Sequence, residues 1–546
     1  MYALIWSIVG FLYITSSPYA FIQAIPRSVI VLNGLLALVL IIGLRITGRW
    51  FLSLCLDNIN SLERLNVVIY GAGSAGRQLS IALTQSTEYN PVAFIDDEND
   101  ICGQSINGIK IYSKSELISL IDNKNVSEVL LAIPSISRKL RIEIINFLSP
   151  YPVLVRSLPG VSELAQGKIQ ISDLHEISAK DLLGRDSVPA NNELLSLNIK
   201  DKVVLVTGAG GSIGSELCRQ IVLLKPKRLI LFEVSESSLY QIEQELSNFD
   251  MNDIIISPVI GSIVDDNRMK NIFNYYGVQT IYHAAAYKHV PLVEYNQSQG
   301  ILNNSIGTLL TAEAAIAAKV ETFVLVSTDK AVRPSSTMGA SKRVAELVLQ
   351  ALAKTPHTTC LTMVRFGNVL DSSGSVIPLF RKQISQGGPI TVTDVNMVRY
   401  FMTITEAVQL VIQAGAMGKG GEVFVLDMGE PMKIYDLAVK MIHLSGLKVL
   451  DDDNPDGDIE VKFTGLRPGE KLYEELLVGS NIAQTENDLI MRVQEEMIDL
   501  ETLKPILNEL KEASKNTDQE KIRELLIQIV PEFMPQSPIV DLLFDQ

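Results

Sequence analysis

From residue 65 onward, short runs of valine, isoleucine and leucine alternate with segments whose apolar residues recur at helical spacing. The runs include VVIY, PVAFID, EVLLAIP and PVLVRSL, and further on KVVLVTG, RLILFE and FVLVST. Continuous apolar runs of this length, each closed by a turn and followed by a helical pattern, predict buried parallel strands joined by crossover helices. The series stops and restarts, which predicts two α/β units, over residues 60–180 and 201–480. Between them, residues 181–200 are rich in Asp, Asn and Ser and read as a linker. Residues 481–546 are helical and acidic with scattered prolines, and read as a cap or tail.

Residues 1–50 break the pattern. Only Arg27, Arg45 and Arg49 are charged there, and Val29 to Leu44 is a nearly unbroken apolar run. At roughly 16 residues, extended by Ser28 and Ile46, it approaches the ~20 that span a bilayer. A transmembrane helix is therefore expected, with a second apolar fragment over Tyr2 to Ile14. Arg45, Arg49 and Arg64 follow the run and Arg27 alone precedes it, which places the rest of the chain on the cytoplasmic side of the cell membrane.

Glycines mark both units. In the first, Gly71, Gly73 and Gly76 follow VVIY in Gly-x-Gly-x-x-Gly spacing, with Asp96 ending the next strand. In the second, Thr207, Gly208, Gly211, Ser212, Ile213 and Gly214 form strand end, turn and helix start, and Glu233 ends the next strand about 20 residues on. Such a turn lets a dinucleotide pyrophosphate meet backbone N–H groups, and a carboxylate at that offset accepts from ribose hydroxyls while repelling a 2′-phosphate. The fold expected is two Rossmann-like, doubly wound parallel sheets in tandem, with NAD on the second. The first unit is left open between a nucleotide site and an architectural role.

Chemistry is expected beyond Phe323 to Val326, where Ser327, Thr328, Asp329 and Lys330 stand at the carboxyl end of a strand and Lys342 follows on a helix. An acid and a base side by side suit a reaction that moves protons. The net charge of −15, with no basic run, argues against a nucleic-acid partner. The four cysteines are too dispersed for a disulfide framework or a zinc site. The run Asp451 to Asp458 matches only the first part of a calcium loop, because Phe463 stands where the bidentate glutamate belongs, so no metal is expected.

The glycine turn, HAAAYKHVPLVE, STDKA, RFGNVLDSSGSVIP and GLRPGEKLYEELL together resemble the membrane-anchored nucleotide-sugar 4,6-dehydratases of bacterial polysaccharide biosynthesis, within the extended short-chain dehydrogenase/reductases. IPRSV and LLGRD extend the likeness over nearly the whole chain. The resemblance implies internally recycled NAD and a UDP-sugar substrate such as UDP-N-acetylglucosamine. It makes Lys330 the base at sugar carbon 5 and Asp329 the acid for the departing hydroxyl, and it puts Thr328 near the oxidised hydroxyl. Ser262, Ala284, Ala285 and Lys342 would join the cofactor site. Lys288, Asn304, Asn368, Arg399 and Arg467 would border the substrate, and a homo-oligomer is expected. The family's usual Tyr-x-x-x-Lys pair reads Met338-Gly-Ala-Ser-Lys342 here. A thioether cannot take a hydroxyl proton, so Met338 marks a variant site. The family's usual four membrane helices are reduced to one and a fragment. An epimerase on the same scaffold, or a non-catalytic nucleotide-sugar sensor, are the alternatives.

Overall fold

The computed structural model describes residues 12, 13, 16, 27–60, 64–159, 169–178, 181, 191–249, 254–475 and 482–544. Most of the apolar fragment Tyr2 to Ile14 and the LLGRD segment lie outside them. The chain forms two compact units, residues 1–134 with 156–175, and residues 135–155 with 176–546.

Helix α1 (Arg27–Asn60) contains the apolar run. Among the described residues no helix is long and apolar enough to cross a membrane, so the expected span is not borne out there. The side chains of Val29, Ile30, Val31 and Gly34 lie outside the described ones. Most of those that are described remain uncovered, with Leu35, Val39 and Leu44 58%, 66% and 69% exposed, while Ala37 and Leu38 are half-buried.

In the first unit, β1 (Leu65–Tyr70), α2 (Ser74–Gln85), β2 (Tyr89–Asp96), β3 (Ile109–Ser113) and β4 (Glu128–Leu131) follow the predicted order. The strands lie side by side as β3-β2-β1-β4, all parallel. Val67, Ile69, Phe94 and Leu130 are fully buried with Leu79 and Leu83 of α2, as strands covered by helices require.

The second unit is built on β5 (Val203–Thr207), α3 (Ser212–Leu223), β6 (Arg228–Glu233), β7 (Ile255–Ile260), β8 (Thr280–His283), α4 (Gly307–Ala317), β9 (Thr322–Val326), α5 (Thr337–Ala353), β10 (Cys360–Arg365), α6 (Ile404–Met417), β11 (Val423–Leu426), β12 (Ile482–Gln484), β13 (Ile490–Val493), α7 (Leu500–Lys515) and α8 (Gln519–Ile529). Its nine-stranded sheet runs β7-β6-β5-β8-β9-β10-β11-β13-β12, parallel through β11 and antiparallel over the last two. The period of two divides each strand between opposite faces. Leu205, Phe323 and Leu325 pack with α4, α5, α7 and α8, while Val204, Val206 and Val324 pack with α3 and α6.

Two stretches read as peripheral are core. Residues 192–197 of the expected linker form a helix capped by Asn191, with Leu195 and Ile199 buried. The expected tail supplies β12 and β13 to the sheet and the buried residues Leu503, Leu507, Leu510, Leu525 and Ile529 to one face. Its acidic composition reflects the outward sides of α7 and α8, whose inward sides are leucine and isoleucine.

Candidate functional site

Strand order reverses direction between β5 and β8, which opens a crevice at the carboxyl edge of the sheet. The glycine turn lies there. A Cβ on Gly208 would come within 2.8 Å of the Ala285 backbone, and one on Gly214 within 1.9 Å of the Gly208 carbonyl oxygen. Only glycine lets α3 start this close to β5. Gly211 caps α3 without a side-chain bond, so the helix's first N–H groups face outward. The Ser212 hydroxyl accepts from the Ser373 amide at 3.1 Å. Ile213 packs on the core. Thr207 accepts from the Ala285 amide, and its carbonyl accepts from Ala284. Ser262 closes the turn after β7 by accepting from Val264.

Glu233 is buried at the end of β6. One carboxylate oxygen accepts from the Gly210 amide at 3.0 Å, and the other from Val234 and Ser235 at 2.9 and 3.0 Å. It therefore braces the turn, with lone pairs remaining for a ligand hydroxyl. In the first unit, Gly71, Gly73 and Gly76 turn into α2, and Asp96 accepts from Ala72 at 2.7 Å.

Beyond β9 the chain folds into a single 3₁₀ turn over Asp329–Ala331, with Thr328 at its start. The Thr328 hydroxyl donates to Asp329 Oδ1 at 2.9 Å. Lys330 Nζ donates to the same oxygen at 3.0 Å and to Asn368 Oδ1 at 3.2 Å. Asp329 is buried, and its Oδ2 has no hydrogen-bond partner. Gly367 makes room for that oxygen, since a Cβ there would sit 3.0 Å away. Burial pulls the Lys330 ammonium down, but the Asp329 and Glu474 carboxylates outweigh it and hold the group above its ordinary range. In the ligand-free chain Lys330 is thus a cation paired with Asp329.

The turn opens onto a cavity of about 210 Å³ lined by Lys288, Lys330, Arg399, Arg467 and Glu474, among others. Its cationic rim suits an anionic ligand such as a diphosphate. Lys288 lies below its ordinary range through desolvation and then repulsion by Lys330. Arg399 donates to the carbonyls of Lys471 and Leu472, which ties the 471–474 segment to the cavity wall. Asn304, expected at the sugar, is instead fully buried. It accepts from the Tyr287 amide and donates to the Tyr287 carbonyl and to Ser341.

Helix α5 begins beneath this turn. Ser336 caps it by accepting from Gly339, and buried Glu294 accepts from the Thr337 amide and hydroxyl. Met338 is packed on Val290 and Val293, as an apolar side chain should be. Lys342 Nζ donates to the Val326 carbonyl at 2.8 Å, and burial pushes its ammonium down to about 8, against the pull of Glu346.

Sequence reasoning missed two groups. Glu474 reaches the site from the GLRPGEKLYEELL stretch, 3.8 Å from Lys330 Nζ and 3.7 Å from Arg399 Nη2. Behind the turn, Arg365 binds both oxygens of Glu346 and of Glu495, Arg343 pairs with the same two acids, and Ser327 donates to Glu346 at 2.6 Å. This buried network fastens β9, β10 and α5 to the segment after β13. Apart from the i,i+3 pair Arg343–Glu346, its members lie far apart in sequence, so no local motif reveals the whole of it.

The polysaccharide biosynthesis protein family matches residues 204–495. The capsular polysaccharide biosynthesis protein CapD of Staphylococcus aureus is 43% identical over 450 residues, 82% of this chain and 74% of that one. The chain belongs to the polysaccharide biosynthesis protein family. This family assignment covers the whole of the site just described. A UDP-glucose 4-epimerase of Rickettsia massiliae is 33% identical over 291 residues, 53% of this chain and 81% of the relative. An uncharacterized membrane protein of Methanocaldococcus jannaschii is 41% identical over 334 residues, 60% of this chain and 96% of its own.

Proposed function

We propose that the second unit is an NAD-dependent nucleotide-sugar 4,6-dehydratase acting on a UDP-sugar, with UDP-N-acetylglucosamine the substrate of choice. The observation that carries this reading is the Thr328–Asp329–Lys330 turn, joined by hydrogen bonds to one shared oxygen and facing a cavity rimmed by cations. Thr207, Gly208, Gly211, Ser212, Ile213, Gly214, Glu233, Ser262, Ala284, Ala285 and Lys342 would hold the dinucleotide. The close approach at Gly208 and Gly214 and the braced Glu233 fit such a ligand. NAD, when bound, supplies the hydride acceptor for sugar carbon 4 and the donor for carbon 6.

The protein's own groups handle protons. Thr328 lies beside the hydroxyl being oxidised and relays its proton toward Asp329. Once carbon 4 is a ketone, the proton on carbon 5 is acidic, and neutral Lys330 removes it. Protonated Asp329 gives its proton to the oxygen leaving carbon 6, so that water departs. Elimination leaves the pair as ammonium and carboxylate, and when carbon 6 receives its hydride Lys330 returns the proton to carbon 5 and is neutral again, as it entered the step. Met338 takes no part in proton transfer. Lys288, Asn368, Arg399 and Arg467 would hold the nucleotide-sugar, with Arg467 suited to its phosphates.

Incubating the protein with UDP-N-acetylglucosamine in deuterated water tests the reading. A 4-keto-6-deoxy product carrying solvent deuterium at carbon 5 is expected by mass and NMR, and a product that keeps oxygen on carbon 6 would rule dehydration out. The Rickettsia relative, named an epimerase, favours epimerisation as the second reading. Lys330→Ala separates the two, because epimerisation needs no base at carbon 5 and survives it.

We also propose that the exposed apolar side of α1 contacts lipid and tethers the catalytic unit at the cytoplasmic face. The uncovered leucines support this, as does the relative named a membrane protein. Recovery of the full chain in the salt-washed soluble fraction would sink this proposal.

A further inference from the structure

The cavity contains a second carboxylate for which the steps above have no use. Glu474 is 8% exposed, and its Oε2 has no hydrogen-bond partner. Its Oε1 lies 3.8 Å from Lys330 Nζ, which also donates to Asp329 and Asn368. The charged groups facing it are Lys330 and Asp329 from the turn after β9, Arg399 from the strand Val398–Arg399, and Lys471 from its own segment. Burial raises its carboxyl above the usual range, Lys330 opposes, and Asp329 adds to the rise.

Counting protons shows why two acids are needed, given the dehydratase reading on which this argument rests. At rest Lys330 is an ammonium, and Asp329 and Glu474 are carboxylates. Oxidation at carbon 4 releases one proton, which the Thr328 hydroxyl relays to Asp329. Asp329 is then filled, yet Lys330 must still lose a proton before it can attack carbon 5. Among the described residues, Lys330 forms ion pairs with Asp329 and Glu474 alone. We infer that Glu474 stores the proton of Lys330 while that lysine acts as the base. The remaining steps then close. The carbon 5 proton moves to Lys330, and the Asp329 proton leaves with the carbon 6 oxygen as water. As carbon 6 is reduced, Lys330 returns its proton to carbon 5, and Glu474 returns the stored proton to Lys330. All three groups end as they began, and the sugar has lost one water. Glu474 acts through Lys330 and not on the sugar, so it is a positioning residue. The 3.8 Å gap is within reach of a small rotation of the lysine side chain.

The test uses the full chain with Glu474→Gln, which keeps the shape, and Glu474→Asp, which keeps the acid. With UDP-N-acetylglucosamine, Glu474→Gln is expected to lose dehydration by at least about 10²-fold while carbon 4 oxidation persists. The absorbance of reduced nicotinamide therefore accumulates, and Glu474→Asp restores part of the turnover. Dehydration by Glu474→Gln within about threefold of the unsubstituted protein, or joint loss of oxidation and elimination, overturns the inference. A second measurement needs no substrate: the pH dependence of Lys330 labelling by an amine reagent, read by mass spectrometry. Its midpoint is expected to fall in Glu474→Gln, and an unmoved midpoint overturns the inference. If the midpoint falls but no UDP-sugar is dehydrated by the unsubstituted protein, the dehydratase reading fails and the Lys330–Glu474 coupling stands.

Discussion

In the first unit a Cβ on Gly76 would lie 1.9 Å from the Gly71 carbonyl oxygen, and in the second a Cβ on Gly214 would meet Gly208 at the same 1.9 Å. The acids that end the next strands are also used alike. Asp96 accepts from Ala72 and Glu98, just as Glu233 accepts from Gly210, Val234 and Ser235. The two turns share a backbone design, and the strands paired beside them lead alike into small or apolar residues, Ala132, Ile133 and Pro134 after β4 and Ala284, Ala285 and Ala286 after β8. Thr328, Asp329 and Lys330 come one strand further out in the second unit, after β9. A glycine turn is thus a backbone solution that says nothing of chemistry by itself, and the reactive groups come from other strands.

The sharpest break in the comparison is kinetic. Lys330→Ala removes the only base assigned to carbon 5 and is expected to lower dehydration by about 10² to 10⁴-fold. Asp96→Ala, at the matching edge of the first unit, is expected to leave kcat within about twofold. Steady-state product formation measures both, and a comparable loss from Asp96→Ala would give the first turn a part in the reaction.

Paired glycine substitutions come next. Gly214→Ala and Gly76→Ala each force a methyl group into a backbone carbonyl, with a destabilisation of roughly 1–3 kcal/mol expected in either unit. Only Gly214→Ala should also reduce the NAD retained on purification. Thermal unfolding followed with cofactor stoichiometry separates the effects. Equal NAD loss in Gly76→Ala would show that the first turn also bears on cofactor binding.

Much of this was legible because it is local. The runs KVVLVTG and FVLVST, the glycines and the offset to Glu233 are set by strand period and turn geometry, both written in consecutive residues. What escaped was assembled across distance. Glu474 stands in a segment without regular structure and is brought to the site by distant partners, Arg399 on the carbonyls of 471 and 472, Ser335 on that of Gly469 and Lys471 on that of Val332. The Arg365–Glu346–Glu495–Arg343 network joins three separate segments, and each member alone reads as a surface charge. Asn304, which the resemblance puts at the sugar, bonds to the Tyr287 backbone inside a π-helical turn, a use of the side chain that no local pattern announces.

The finest difference between the units lies at the strand beside each glycine turn. Tyr70 of β1 pairs with Leu131 of β4, and in the second unit Thr207 of β5 pairs with His283 of β8. His283 is fully buried between the hydroxyls of Thr207 and Thr308, at 2.9 and 3.1 Å. Burial, and then Lys342, lowers its imidazolium from 6.5 to about 3. Below about 6.5 the unfolded chain therefore binds a proton that the folded chain refuses until about 3, so stability is lost as pH falls through that window. The loss approaches roughly 1.4 kcal/mol per pH unit well below the unfolded value. A leucine at the matching position gives the first unit no such term. His283→Asn keeps a polar side chain between the two threonines without a titrating group. Its denaturant midpoint should fall less between pH 7 and pH 5 than that of the unsubstituted protein, by the equivalent of about 2 kcal/mol. Parallel midpoints across that range would mean that other groups set the acid sensitivity of the second unit.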